Sequence, residues 1–230
     1  MTSIDEYADS LPSDLLGVWP HVAECARQVG GVLMGGTAVA IHLRHRTSED
    51  LDVMTLREFS GTTVKNALGK TGATVEVIEV ARNMFHGFVD TVKVDVFRAL
   101  ESNGVQPSSM TQVAPAWTVS GMEVGALPDL LATKLDVILH RPKLRDYIDL
   151  AAIDQSDGHS LESGLAYYCR RYGYDHAPRV LERIIRLLDD PGRLPLDPEF
   201  SEIGAESLSY LKGRVPALEQ RLSDMRDISV

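Results

Sequence analysis

Cysteine is scarce in this sequence of 230 residues: there are two, Cys25 and Cys169. They lie far apart and lack the paired spacing of a zinc site, so both read as small buried hydrophobes, and neither a disulfide nor a cysteine nucleophile is expected. Long apolar runs are missing as well. No stretch of about 18 apolar residues exists, which excludes a membrane-spanning helix. The opening MTSIDEYADSLPSDLL carries acidic residues where a signal peptide carries basic ones, so a cytoplasmic protein is expected. Basic residues are also in deficit. The 23 Lys and Arg face 33 Asp and Glu, a formal net charge of −10, which opposes unaided attraction to a polyanion and argues against a general nucleic-acid binder. Any grip on RNA has to come from local clusters, Arg141, Lys143 and Arg145 in one and Arg179, Arg183 and Arg186 at helical spacing in the other. Internal repeats and low-complexity tracts are absent.

What is present is apolar patterning. Hydrophobic residues make up 44% of the chain, enough for one sizeable core and an appended smaller one. Leu15, Leu16, Val18, Trp19, Val22 and Ala23 predict a helix over 13–29 with Ser13 as its cap. Gly31-Val32-Leu33-Met34 reads as a short buried strand, followed by a glycine turn and a helix that begins after Thr37 and runs from Ala38 to Leu43. Asp50-Leu51-Asp52-Val53-Met54 alternates polar and apolar residues, a second strand with both aspartates on one face. A helix over 57–68 leads to strands over 74–80 and 88–97, paired antiparallel, the latter carrying Asp95. Residues 101–122, rich in Ser, Gln, Pro and Gly, form a border with Trp117-Thr118-Val119 as an edge strand. The remainder is helical: 128–140 with Pro128 in its first turn, 147–153, 161–172, 179–188 and 206–225.

The chemistry-bearing constellation is Gly35-Gly36-Thr37, then Asp50 and Asp52, then Asp95. Glycines at a strand-to-helix turn let backbone amides approach an anion, the helix N-terminus adds partial positive charge for a triphosphate, and Thr37 adds a hydroxyl donor. Two aspartates at i and i+2 on a strand project to one side, where they can hold Mg2+ or Mn2+, hard cations that take carboxylate and phosphate oxygens. Asp95, on a strand expected beside theirs, completes a three-carboxylate metal cluster and is the expected general base for an attacking hydroxyl. The reaction such a set serves is in-line phosphoryl transfer from an NTP. Each part has a plain alternative when taken alone: Gly-Gly-Thr is a turn, Asp-x-Asp a solvated strand, Asp95 an outward-facing sheet residue. Their order and spacing together favour the site. His42, His45, His86, His140, His159 and His176 show no ligand spacing and read as ordinary core or surface residues.

These motifs resemble the signature of the DNA polymerase β-like nucleotidyltransferase superfamily. Further along, Thr133-Lys134-Leu135-Asp136-Val137-Ile138-Leu139-His140-Arg141 and Arg145-Asp146-Tyr147-Ile148-Asp149-Leu150 resemble the Lys-Leu and Arg-Asp-x-x-Asp-Leu motifs of the AbiEii/AbiGii abortive-infection toxins and the related mycobacterial MenT toxins. The resemblance spans about residues 31–150. It implies an α+β, α/β-like fold: a nucleotidyltransferase domain over 1–120, its mixed sheet flanked by helices, and a mostly helical domain over 121–230 that completes the active-site cleft. It further implies that Gly36 and Thr37 hold the triphosphate, that Asp50 and Asp52 hold metal, that Lys134 contacts phosphates and that Asp146 stands in a supporting or catalytic position. Asp149 is read as structural. Partners implied are an NTP, a cognate antitoxin protein and a tRNA acceptor modified at its 3′ end. Beyond residue 151 no motif matches, and substrate choice is expected to be written there. Two other functions stay open: transfer to a small molecule of the aminoglycoside kind, and a non-catalytic nucleotide-binding module, against which the three carboxylates speak.

Overall fold

Leu15, Val18, Trp19 and Val22 recur every three or four residues and bury one stripe of helix α1, Ser13–Val29. The helix is capped by Pro12, which makes no side-chain cap bond, and Ser13 is its first residue rather than its cap. The computed structural model describes residues 2–99, 112–173, 177–195 and 197–227. Described residues up to Ala99 together with 114–126 form one compact unit, and residues 112–113 with those from Leu127 onward form a second.

The first unit is built on a seven-stranded mixed sheet: β1 (Gly31–Met34), β2 (Leu51–Thr55), β3 (Val75–Ala81), β4 (Met84–Val89), β5 (Val92–Arg98), β6 (Trp117–Val119) and β7 (Met122–Val124). They lie in the order β3-β4-β5-β2-β1-β7-β6. Trp117–Val119 is an edge strand, as the sequence implies; residues 101–111 of the expected border lie outside the described residues. The expected strand over 88–97 is two strands, turning at Asp90 and Thr91, so β3 pairs with β4 and β4 with β5. Gly87 explains why β4 escapes a propensity reading. A Cβ there would lie 2.3 Å from the Glu76 carbonyl oxygen, so the neighbouring backbone requires glycine inside a strand. Helix α2 spans Gly35–Leu43, and α3 spans Gly61–Gly69, starting four residues later than its pattern predicts. Val53, Val94 and Val96 lie on the buried face of the sheet, together with Leu51 and Phe85. Cys25 is packed in this core, where burial pushes its thiol up to about 11. The sulfhydryl is inert there.

The second unit is helical: α4 (Leu127–His140), α5 (Leu144–Asp154), α6 (Leu161–Tyr172), α7 (Ala177–Asp189) and α8 (Ser201–Asp227). Helix α7 separates its faces cleanly, with Val180, Leu181, Ile184, Ile185 and Leu188 buried and Arg179, Arg183 and Arg186 exposed. Asp154 at the end of α5 accepts from the Leu161 amide (2.6 Å), the Tyr210 hydroxyl (2.7 Å) and Arg214 (2.8 Å), tying α5, α6 and α8 together. Helix α8 begins earlier than its pattern indicates, and Gly204 in its first turn sits against Leu144, whose methyls come within 2.8 Å of where a Cβ would stand. Cys169 on α6 is half-buried, against the expectation of burial, and neither cysteine forms a disulfide. His176 lies outside the described residues. No helix among the described residues is long and apolar enough to cross a membrane.

Candidate active site

The sheet register assembles the site. In the parallel β2–β5 pair, Asp52 stands opposite Asp95; in the antiparallel β4–β5 pair, His86 stands opposite Asp95; and Met34 at the end of β1 stands opposite Asp52. Residues directly opposite share a face, so His86, Asp95 and Asp52 form one rung across three strands. Asp50, two residues before Asp52, precedes the start of β2, and Lys93 precedes Asp95 by the same step. Valines and leucines alternate with these residues and are buried, which turns the polar side chains to the opposite, half-exposed face.

The glycine turn is fitted to the aspartates. Gly35 has φ +70°, and a Cβ there would lie 2.2 Å from Asp52 Oδ2, so glycine is required both for the backbone angle and to leave room for the Asp52 carboxylate. Gly36 leaves room for Arg46, whose Nη2 would stand 2.3 Å from a Cβ. The Thr37 hydroxyl donates to the Asp50 carbonyl and is hydrogen-bonded to the Ser48 hydroxyl at 2.9 Å. One expectation is corrected. Helix α2 starts at Gly35 rather than after Thr37, so the glycines form its first turn. Thr37 is 1% exposed and its hydroxyl bonds the Asp50 carbonyl, so it fixes the aspartate segment. The anion lying against this helix start is Asp52 itself, favourably placed for the positive end of the peptide dipoles.

Asp95 has close partners. His86 Nδ1 hydrogen-bonds Oδ1, and Lys93 Nζ donates to Oδ2 at 2.9 Å. Burial would lower the Lys93 pKa, but the hydrogen bond and charge of Asp95, with the charges of Asp50 and Asp52, outweigh it and raise it. His86 is therefore a site residue rather than an ordinary surface histidine. Lys93 was legible in the sequence by the same i, i+2 alternation that groups Asp50 with Asp52. His86 and Arg46 carried no such signal, the first because β4 itself was hidden and the second because its approach to Gly36 is tertiary.

Asp52 and Asp95 are rung neighbours, and the chain presents a positive charge, the Lys93 ammonium, to the cluster, so the donor set suits a cation. Among the described residues, no three His, Cys, Asp or Glu side chains already converge as ligands. Both Asp95 oxygens have protein partners, which a metal would have to replace or share.

Lys134 lies in the helical unit, where its Nζ meets Asp146 Oδ1 at 2.8 Å and Asp149 Oδ2 at 2.5 Å. The lysine side chain is 7% exposed and that of Asp149 is 0% exposed, so Lys134 is the centre of a buried ion triad linking α4 and α5. Burial would lower its pKa, but the charges of Asp149 and Asp146 raise it, and the ammonium stays charged. Asp129 on α4 forms a second buried pair with Arg171 on α6 and accepts from the Val113 amide at 2.9 Å. Arg145 pairs with Asp197 at 2.8 Å and lies over the Phe200 ring, while Arg141 and Lys143 beside it are exposed.

Three comparisons bear on this arrangement. No match is found among curated proteins. A solved H. pylori protein, provisionally assigned as a nucleotidyltransferase, superposes with a TM-score of 0.56 at 14% identity, covering 92% of this chain and 96% of that one. That likeness shows the fold. The Megavirus polyadenylate synthase is a more distant neighbour, with a TM-score of 0.40 at 14% identity over 77% of this chain and 37% of its own. The family described as the nucleotidyl transferase AbiEii toxin of a type IV toxin–antitoxin system matches residues 28–209, which include the glycine turn, all three aspartates and the buried lysine triad. The chain belongs to the AbiEii nucleotidyltransferase toxin family.

Proposed function

We propose that this nucleotidyltransferase moves a nucleoside monophosphate from an NTP to an RNA acceptor, the 3′ end of a tRNA, with Asp50, Asp52 and Asp95 as its metal-holding carboxylates. The observation that carries the reading is the rung on which Asp52 and Asp95 are register partners, with Gly35 shaped around the Asp52 carboxylate. A divalent ion bound there, Mg2+ or Mn2+, would neutralise phosphate charge and template the in-line geometry. The residues of the chain do the rest. Gly35 and Gly36 bring the start of α2 and the Arg46 guanidinium to one place, an anion-attracting combination suited to a triphosphate. Asp95, held by His86, would accept the proton of an attacking hydroxyl once Lys93 or His86 gives up one of its oxygens. Thr37 keeps Asp50 in line through its carbonyl.

In the helical unit, the Lys134 triad leaves one of three ammonium protons beyond those given to Asp146 and Asp149, and that donor is proposed to serve the nucleotide phosphates. Asp146 would then set the position of the lysine. An RNA would be gripped by the exposed Arg179, Arg183 and Arg186 with Arg141 and Lys143. Arg145 is left out of that surface because Asp197 and Phe200 hold it. The family places an antitoxin protein and an NTP among the partners, and action in the cytoplasm is part of the same reading.

A second reading has one observation in its favour: a net charge of −10 attracts a polycationic acceptor such as an aminoglycoside more readily than an RNA. Incubating the protein with labelled NTP and Mg2+, beside total tRNA in one arm and an aminoglycoside panel in the other, separates the two. Label in tRNA supports the first reading. Label in the aminoglycoside alone replaces it with the second.

A further inference from the structure

Beside Asp95 the chain itself supplies a cation. Lys93 sits two residues before Asp95 on β5, on the same face, and its ammonium is 2.9 Å from Asp95 Oδ2 within the field of Asp50 and Asp52. The other Asp95 oxygen is held by His86. A metal ion ligated through Oδ2 at about 2.1 Å would share that oxygen with the ammonium, bringing two positive centres within about 5 Å. The arrangement is therefore a competition for one carboxylate. The lysine side chain is long and only partly buried, 35% exposed, so it can swing away when another anion is within reach.

We infer that Lys93 is an internal counter-cation that opposes divalent-metal binding at Asp95 and yields when the triphosphate of an NTP offers it an alternative partner. This rests on the proposed carboxylate metal site. It adds that metal and nucleotide bind cooperatively, because the nucleotide takes up the ammonium that the metal displaces. The chain would then hold little metal without nucleotide, and Lys93 would pass from Asp95 to phosphate as the site fills.

The test is Mn2+ binding by calorimetry on the full chain, without acceptor, for the wild type, Lys93→Met, Lys93→Arg and Asp52→Asn, each with and without a non-hydrolysable NTP analogue. Without nucleotide, Lys93→Met should bind Mn2+ on the order of tenfold more tightly than the wild type, a common size for coupling between two ligands. Lys93→Arg, which keeps the charge, should stay near the wild type, and the analogue should narrow the gap between wild type and Lys93→Met. Should Lys93→Met fail to fold, Lys93→Gln carries the same expectation. Equal affinity in wild type and neutral variants, with binding lost in Asp52→Asn, would overturn the counter-cation and leave the metal site standing. Absence of Mn2+ binding in every protein, with and without analogue, would overturn both.

Discussion

Gly35 is the residue on which the largest number of constraints meet. Its φ of +70° lies in the left-handed region, and any side chain would enter the space of the Asp52 carboxylate. Gly35→Ala should cost about 1–2 kcal/mol from the backbone angle alone. It should also displace Asp52, so transfer activity should fall by more than the loss of stability explains. Comparing kcat/KM with the thermal midpoint of the same variant checks this; an activity that stays within twofold of the wild type would show that Asp52 has no fixed position to lose. Tyrosines and lysine offer a second residue-scale expectation. Burial, joined at Tyr210 by Asp154, pushes Tyr147 and Tyr210 up to about 12 from 10.0, and Lys134 is raised above 10.5. All three hold their protons more tightly when folded, so their contribution is complete below the unfolded values and is lost as pH rises through the folded ones. Stability should therefore begin to fall near pH 10 from these groups, and Tyr210→Phe should soften that fall in a pH series of denaturant unfolding.

At the scale of elements, the buried ion triad ties α4 to α5. Lys134→Met removes the one positive charge shared by two buried carboxylates, and breaking a buried ion pair from one side costs about 3–5 kcal/mol. The variant should lose most of its stability at neutral pH, read as a shift in urea midpoint, with some recovery when Asp149→Asn is added. If Lys134→Met proved as stable as the wild type, the lysine would have no structural hold on the two helices. The same elements show what the sequence made legible. Periodicity marked α1, α4, α6 and α7 because each buries one stripe, and alternation marked the strands that carry Asp52 and Asp95. The fold class followed from those patterns and from the resemblance. The register of Asp52 against Asp95, the pairing of His86, and the burial of Lys134 depend on which strands and helices become neighbours, which local pattern does not encode. Strand β4 was hidden by Gly87, whose weak strand propensity answers to a close backbone and not to its own segment. The Thr37 contact was hidden for a similar reason: a threonine after two glycines has the same local signature whether its hydroxyl meets a phosphate or the Asp50 carbonyl.

For the whole molecule, the charge of −10 sets the terms on which the proposed RNA acceptor would be held. Binding must be local, and it must be steep in salt only to the extent of its few phosphate contacts. Arg183 and Arg186 are exposed on α7, although Arg183 also donates to the Leu139 carbonyl and Arg186 pairs with Glu182. Reversing both, Arg183→Glu with Arg186→Glu, should weaken RNA labelling at least tenfold and flatten its dependence on salt by about one unit of slope per lost contact. NTP binding should be preserved. Labelling that is indifferent to the reversal and to salt would remove α7 from the acceptor surface.

Nucleotidyl transfer through the carboxylate rung is the proposed reaction of this family fold. The most direct measurement is incorporation of α-labelled NTP into total tRNA, in Mg2+, by the wild type and by Asp52→Asn under matched conditions with folding checked by circular dichroism. The account predicts labelled tRNA with the wild type, its loss on chelating the metal, and a fall of at least a hundredfold in Asp52→Asn with the fold retained. Label transferred by Asp52→Asn at a rate near that of the wild type would contradict it.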